Sequence, residues 1–465
     1  MTIINKNKLL RDLVAKYRST HKKSEAFYKK TAQMEIRGGS HNLRMFDPFP
    51  FYDVSASGSR VKDMDGHTYI DFWQGHFANV LGHNPKVVLD ALLAYYGKGQ
   101  GLTTGFPGRF ERELAELILT QLQAEKIRFT TSGTLASMYA VMLSKAFTKR
   151  ELVMKAGGGW HGAQPYLLKG VTAFRDGLNE VESAGLPRGI ESTTLVTKFN
   201  DREDLEKIFK KYGDRIACYI VEPFIGAGGF IFGHKEYLQR ARELTSKYGS
   251  LLIFDEVISG FRFHAGGVQT LYGIKPDLTI LGKAIGGGMP AAAVAGRADI
   301  LALCGPEAKP EEKVKFEGGT FSSHPATMIS GIAFIKHLIR DAKKIYPRIG
   351  GFGALARKKI EAIFAAQGFN VKCTGDGDSI GVASSLVGVH FLQKELDRLD
   401  SPEQIWNPEI NDFELREKIF KLALILEGFN TFHGYGSISS AHTEKEIGAS
   451  LDAVERIAKA WKKYA

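Results

Sequence analysis

Three short apolar runs, each ending in a residue able to do chemistry, limit what this chain can become. Ala217-Cys218-Tyr219-Ile220-Val221 leads into Glu222-Pro223, Leu251-Leu252-Ile253-Phe254 into Asp255-Glu256, and Leu278-Thr279-Ile280-Leu281 into Gly282-Lys283. Each run has the length and composition of a buried parallel strand. In open α/β sheets the ligand crevice lies beyond the carboxyl ends of such strands. The order therefore predicts an acid and an amine at one sheet edge, facing one ligand.

At 465 residues the chain suits two or three domains. Its 51 glycines, many of them in the middle third, suggest tight turns where backbone approaches a ligand. The net charge of +11 reads as a basic but mixed surface, because there is no strong block of consecutive basic residues and no nucleic-acid motif. No nucleic-acid partner is expected. Cys218, Cys304 and Cys373 are far apart and odd in number, so neither a zinc site nor a disulfide framework is indicated, and a reducing, cytoplasmic compartment fits. There is no apolar stretch long enough to span a membrane and no signal-peptide core. Leu9, Leu10, Leu13, Val14 and Tyr17 lie at helical spacing, as in an amphipathic helix packing on the body or on a partner subunit.

Along the chain, Asp65-Gly66 centres a hairpin in a small meander between Tyr52 and Trp73, and Gly82-His83-Asn84-Pro85 opens a helix toward Tyr96. Strand and helix patterns then alternate to about Pro325, which argues for a doubly wound or mixed α/β sheet. Within it, a helix from Lys235 to Tyr248 is closed by Gly249. The remainder begins with an apolar helix from Ile329 to Ile339. Strands follow around Phe369 to Val371 and Val387 to Phe391, with a charged helix after Thr443-Glu444.

Lys283 precedes Ala284-Ile285-Gly286-Gly287-Gly288-Met289-Pro290, whose glycines let backbone crowd a ligand. A lysine close to a cationic or apolar site can be neutral enough to attack a carbonyl. Alone it would read as a surface lysine at a strand end, but Asp255 and the glycine run outweigh that. A buried carboxylate needs a partner, which a protonated ring nitrogen supplies, with Val257 packing on one ring face; a helix N-cap is the ordinary alternative for Asp255. An amine to form a Schiff base and an acid to hold a pyridinium are what pyridoxal phosphate requires. Ser132-Gly133-Thr134 opens an apolar helix after the short strand Arg128-Phe129-Thr130, which suits a phosphate or a plain cap. Trp160-His161-Gly162 follows three glycines and offers an aromatic to stack on a cofactor or to join the core. Gly318-Gly319-Thr320-Phe321-Ser322 offers another hydroxyl or a plain turn. Gly282-Lys283 is no P-loop, for no Ser or Thr follows the lysine. Gly351-Phe352-Gly353-Ala354 lacks a preceding strand and reads as a turn into a helix. The histidines show no metal-ligand spacing, so no metal is expected.

Taken together, Leu252-Ile253-Phe254-Asp255-Glu256-Val257-Ile258-Ser259-Gly260-Phe261-Arg262 resembles the signature of class III pyridoxal-phosphate aminotransferases of fold type I. So does the stretch from Pro276-Asp277-Leu278-Thr279 through Lys283 to Met289-Pro290. The resemblance runs from about Gly38 to the C-terminus and is strongest to the subgroup of glutamate-1-semialdehyde 2,1-aminomutases and β-amino-acid aminotransferases. It implies an N-terminal arm and part of a small domain over 1–84, a large cofactor-binding domain over 85–325 and a small C-terminal α/β domain over 326–465. It also implies a homodimer sharing its active sites. Lys283 would be the Schiff-base lysine and proton carrier, and Asp255 would hold the pyridinium. Ser132, Gly133 and Thr134 would bind phosphate, with Thr320 reaching in from the neighbouring subunit. Trp160 takes the stacking position, with His161, Glu222 and Val257 around the cofactor. Arg44 matches an arginine that holds a substrate carboxylate, a task suited to a bidentate guanidinium. His433 lies where some β-amino-acid enzymes use an arginine for substrate.

The departures bear on the reaction. Where the aminomutases show a Glu, an Asn and an acid, this chain has Gly157, Ala227 and Gly434-Tyr435, and Leu135 replaces a usual Glu after Thr134. These differences favour ping-pong transamination between an amino acid, β- or ω-amino among the options, and a keto acid or aldehyde. The intramolecular aminomutase is the alternative. A racemase or decarboxylase on the same scaffold comes third. A non-catalytic binding module is disfavoured by the intact Lys283, Asp255 and phosphate turn.

Overall fold

In the computed structural model the three apolar runs are neighbouring strands. The structure describes residues 4–100, 103–172 and 180–465. The central sheet has seven strands: β1 (Lys126–Thr130), β2 (Leu152–Ala156), β3 (Thr194–Thr197), β4 (Ile216–Val221), β5 (Leu251–Asp255), β6 (Leu278–Leu281) and β7 (Ala292–Gly296). Their spatial order is β1-β7-β6-β5-β4-β2-β3. All neighbouring pairs from β6 to β3 are parallel, and β7 runs antiparallel between β6 and β1. The sheet is thus mixed, with β4, β5 and β6 side by side and their carboxyl ends at one edge.

Side chains along these strands alternate between two cores, as the two-residue period requires. Val153, Cys218, Ile220, Ile253 and Ile280 pack with Ala136, Ala140, Val141 and Leu143 of the helix Gly133–Thr148. Met154, Tyr219, Val221, Leu252 and Phe254 pack on the opposite face with Leu238, Ala241 and Leu244 of the helix Lys235–Tyr248. Every residue of β4 and β5 is buried, which is why these strands read as unbroken apolar runs. Gly249 closes the second helix with a left-handed φ of 65°, at the predicted position.

The meander forms strands Asp53–Ser57, Arg60–Asp63 and Thr68–Asp71, and Phe429–Asn430 joins its edge from far along the chain. Val371–Thr374, Leu386–Phe391 and Gly434–Ser437 make a three-stranded sheet. The helices Pro325–Arg340, Ala342–Ala365 and Glu444–Trp461 supply much of the apolar core on this side. The N-terminal helix Lys6–Thr20 packs on the body through Leu9 and Tyr17, each burial contributing about 2 kcal/mol.

One local expectation fails. Gly351-Phe352-Gly353 is not a turn but lies inside the helix Ala342–Ala365. Gly353 serves close approach instead: a Cβ on it would lie 2.1 Å from the Ser384 carbonyl oxygen.

Candidate active site

The carboxyl ends of β4, β5 and β6 open onto a cavity of about 500 Å³. Glu222, Asp255 and Lys283 all line it, with Ser132, Gly133 and Thr134 on one side and Trp160, His161 and Gly162 on another. With Val257, nine of the ten residues expected to hold the cofactor are therefore brought together.

Lys283 starts a short 3-10 turn, Lys283–Gly286, directly after β6, and adopts a left-handed φ of 46°. A lysine in that region is strained, and such strain concentrates at functional sites. Burial pulls its ammonium below the ordinary lysine range, opposed by the charges of Asp255 and Glu222. Both effects leave an amine poised near a pair of acids.

Asp255 is buried at the end of β5. Its Oδ2 lies 2.8 Å from His161 Nδ1, and its Oδ1 accepts the Val257 amide at 3.0 Å. The N-cap alternative does not hold, for a turn rather than a helix follows. The adjacent Glu256 does cap a helix: it accepts the amides of Val268 and Gln269 at 2.6 and 2.9 Å, at the start of Val268–Tyr272. Two neighbouring acids thus divide into a structural cap and a cavity carboxylate.

Glu222 accepts the Trp160 amide at 2.8 Å and the Gly226 amide at 3.1 Å. Burial, then the charge of Asp255, pushes its carboxyl up to about 8. It ties the Trp160 loop to the end of β4. Lys155 secures the same loop from beneath, donating to the Gly159 and Leu167 carbonyls at 2.8 and 3.3 Å. Trp160 itself is 43% exposed at the cavity mouth.

Ser132 caps the helix Gly133–Thr148 by accepting the Leu135 amide at 3.3 Å. The amides of Gly133 and Thr134 come earlier and have no intrahelical partner, as at the start of any helix. They face the cavity with the positive end of the helix dipole. Gly162, at φ 81°, lets its loop press on this corner: a Cβ there would lie 2.6 Å from Thr134 Cα.

The pieces fit pyridoxal phosphate. An anion-binding helix start, a buried carboxylate and a buried amine surround one cavity, and His161 Nε2 is buried with no hydrogen-bond partner among the described residues. Asp255 Oδ2 is held by the other nitrogen of that ring, which fixes the carboxylate's orientation.

Three expected residues do not line the cavity. Thr320 sits on an exposed turn. Arg44 is exposed at the end of the short turn Asn42–Arg44. His433 is mostly buried, its Nδ1 3.3 Å from Glu417 Oε1.

Sequence reading missed the segment that brings Gly75, Ala78 and Asn79 to the cavity wall. Gln74, Gly75, His76 and Phe77 all have positive φ, between 50° and 70°, and form one left-handed turn, Gln74–Phe77. That conformation costs about 1–2 kcal/mol per non-glycine residue. It is held from both ends. The Asp71 carboxylate accepts the Trp73 and Gln74 amides at 3.0 and 2.9 Å, and the buried Arg262 donates to the Phe77 carbonyl at 2.8 Å. His76 is pushed down to about 3 by burial first, and then by the charges of His41, Lys283 and Arg44, with His433 adding a further part.

Residues 44–383 match the family model for aminotransferase class-III. The chain is 34% identical over 434 residues to glutamate-1-semialdehyde 2,1-aminomutase of Akkermansia muciniphila, covering 91% of this chain and 96% of that one. Aquifex aeolicus has an aminomutase 36% identical over 446 residues, covering 93% and 98%. Among solved structures, the β-phenylalanine aminotransferase of Variovorax paradoxus superposes with a TM-score of 0.84 at 28% identity, covering 98% of both chains. The names of the curated relatives speak for the intramolecular reaction over the two-substrate one.

Proposed function

Because the chain belongs to the class-III aminotransferases, an enzyme family of fold type I that works with pyridoxal phosphate, we propose that it moves an amino group from an amino acid to a separate keto acid or aldehyde. When bound, the cofactor supplies an aldehyde that takes up the amino group and a ring that accepts the electron pair released when a Cα–H bond breaks. Lys283 Nζ anchors the cofactor and carries the proton to and from the substrate carbon. Asp255, held by His161, balances a protonated ring nitrogen. The amides of Gly133 and Thr134, with Ser132, would hold the phosphate, and Trp160 and Val257 would pack against the cofactor ring. Glu222 keeps the Trp160 loop in place. The family resemblance gives Arg44 a substrate carboxylate and His433 a substrate contact, although neither lines the cavity of the single chain.

The observation that carries the two-substrate reading is the shortage of further acids. Among the described residues the acids lining the cavity are Glu222 and Asp255, and both are already engaged by backbone amides or His161. The Gly157 amide is tied to the Thr197 carbonyl at 2.8 Å, and the Tyr435 hydroxyl lies 2.6 Å from Ser450 Oγ. Neither position offers the acid that the aminomutases carry. The second reading, the aminomutase, is favoured by the curated relatives. Incubation with glutamate 1-semialdehyde alone separates the two. Two-substrate transfer leaves it unisomerised with or without a keto acid, which only takes up the amino group of an accepted donor, whereas isomerisation with no acceptor present establishes the mutase.

A further inference from the structure

The helices Lys6–Thr20 and Lys22–Thr31 meet at His21, which is buried against the hairpin of strands Arg60–Asp63 and Thr68–Asp71. There it meets Asp63 and His67. One ligand atom from each of the three lies within 4.8 Å of the other two. None of these residues lines the cavity of Lys283.

Several donors and acceptors crowd this cluster. His21 Nδ1 lies 3.0 Å from the Tyr17 carbonyl oxygen, which can only accept. A neutral ring that donates there leaves Nε2 as a bare lone pair; Thr20 Oγ1 also lies 2.9 Å from Nδ1. The atom facing Nε2 is the Tyr69 hydroxyl, at 2.7 Å. That same hydroxyl lies 2.7 Å from Asp63 Oδ2, a second acceptor. Tyr69 has one proton for these two acceptors, and Asp63 also accepts the His67 amide at 2.8 Å, with His67 Nδ1 3.0 Å from its Oδ2. The two ring nitrogens and the buried carboxylate therefore lie close enough for one cation to share them.

We propose that His21 Nε2, Asp63 Oδ2 and His67 Nδ1 bind one divalent transition-metal ion of the zinc class, with water as the fourth ligand. Donors about 2.0–2.1 Å from a tetrahedral ion sit roughly 3.3 Å from one another. His21 Nε2 lies 3.7 Å and His67 Nδ1 3.0 Å from Asp63 Oδ2, on either side of that spacing. Two imidazoles and a carboxylate suit zinc. The His67 side chain is 38% exposed and gives the ion a way in. On binding, His67 takes its Nε2–H tautomer, its Nδ1 proton passing to Nε2 by way of solvent, and the Tyr69 hydroxyl donates to Asp63 alone. The ion would clamp the two N-terminal helices onto the hairpin.

The test uses the full-length, cofactor-loaded protein, stripped with a chelator and titrated with zinc chloride. Metal per chain is measured after desalting, together with the thermal midpoint. The wild type should retain one zinc per chain and gain a few degrees. His67→Ala should lose both effects while keeping the cofactor's visible absorption. His67→Gln is the second variant should the alanine form fold poorly, and it should also lose the zinc. A wild type that binds no zinc at micromolar free metal, as a second proton on His21 would give, overturns the proposal. Equal binding by the wild type and both variants overturns it too.

Discussion

Lys283 and Glu222 are ionisable groups on one cavity, and burial moves both toward their neutral forms. The lysine falls below its usual range and the glutamate rises to about 8. An acid whose folded pKa exceeds its unfolded value binds its proton more tightly in the native state. Its stabilising contribution is fully present below about 4.5 and is lost as the pH rises to about 8. Over that window the slope is about 1.4 kcal/mol per pH unit. In the cofactor-free protein, denaturant midpoints should therefore fall between mildly acidic and mildly alkaline buffer, and should fall less for Glu222→Gln. A second expectation concerns Asp255. Asp255→Asn keeps the shape but removes the negative partner of the ring, so kcat should drop on the order of 100-fold or more, measured with saturating cofactor. Lys283 and Asp255 were legible in the sequence because each ends an apolar run. The partner that orients Asp255 was only half legible: His161 was placed near the cofactor, but its bond to Asp255 joins residues on β5 and on the loop after β2.

Strands β4, β5 and β6 were legible because burial on both faces leaves an uninterrupted apolar run. The left-handed turn Gln74–Phe77 was not. Its conformation is imposed by Asp71 from one side and Arg262 from the other, and three of its four residues are not glycine. No local composition marks such a turn. Gly353 was misread for the opposite reason: glycine marks turns in sequence, yet here it lets a helix lie against the backbone of residues 384–385. This gives a test with an unusual sign. Helix propensity alone makes Gly353→Ala stabilising by about 1 kcal/mol. The Ser384 carbonyl in the way should make it destabilising by about 1–3 kcal/mol. Urea unfolding of the two proteins decides between them.

At the scale of the whole molecule, the N-terminal helices are bound to the body at several points. The Asn5 amide donates to the Tyr464 carbonyl at 2.6 Å, and Lys6 pairs with Asp412 at 2.8 Å. Among the described residues no helix is long and apolar enough to cross a membrane. Thr320 remains exposed, and Phe321 beside it is 61% exposed. A second copy seated on this turn would bury that ring and bring Thr320 to the neighbouring phosphate site, which is the sharing the family resemblance implies. Lys283→Ala and Thr320→Ala chains should then complement each other. Mixed after unfolding and refolded together, they form hybrids with one intact site, so the mixture should exceed the activity of either variant alone. No gain over the separate variants would place Thr320 outside the neighbour's site. The shared site was not legible from spacing, because it depends on how two surfaces meet.

The most direct test is the visible absorption spectrum of the purified, cofactor-loaded protein, recorded while single amino compounds are added without any acceptor. The account expects a band that Lys283→Ala lacks, that particular donors convert to the amino form of the cofactor, and that returns only when a keto acid or aldehyde is supplied. A band that converts and recovers with no acceptor present would contradict two-substrate transfer and establish the intramolecular reaction. No band after incubation with pyridoxal phosphate would contradict the assignment of the site itself.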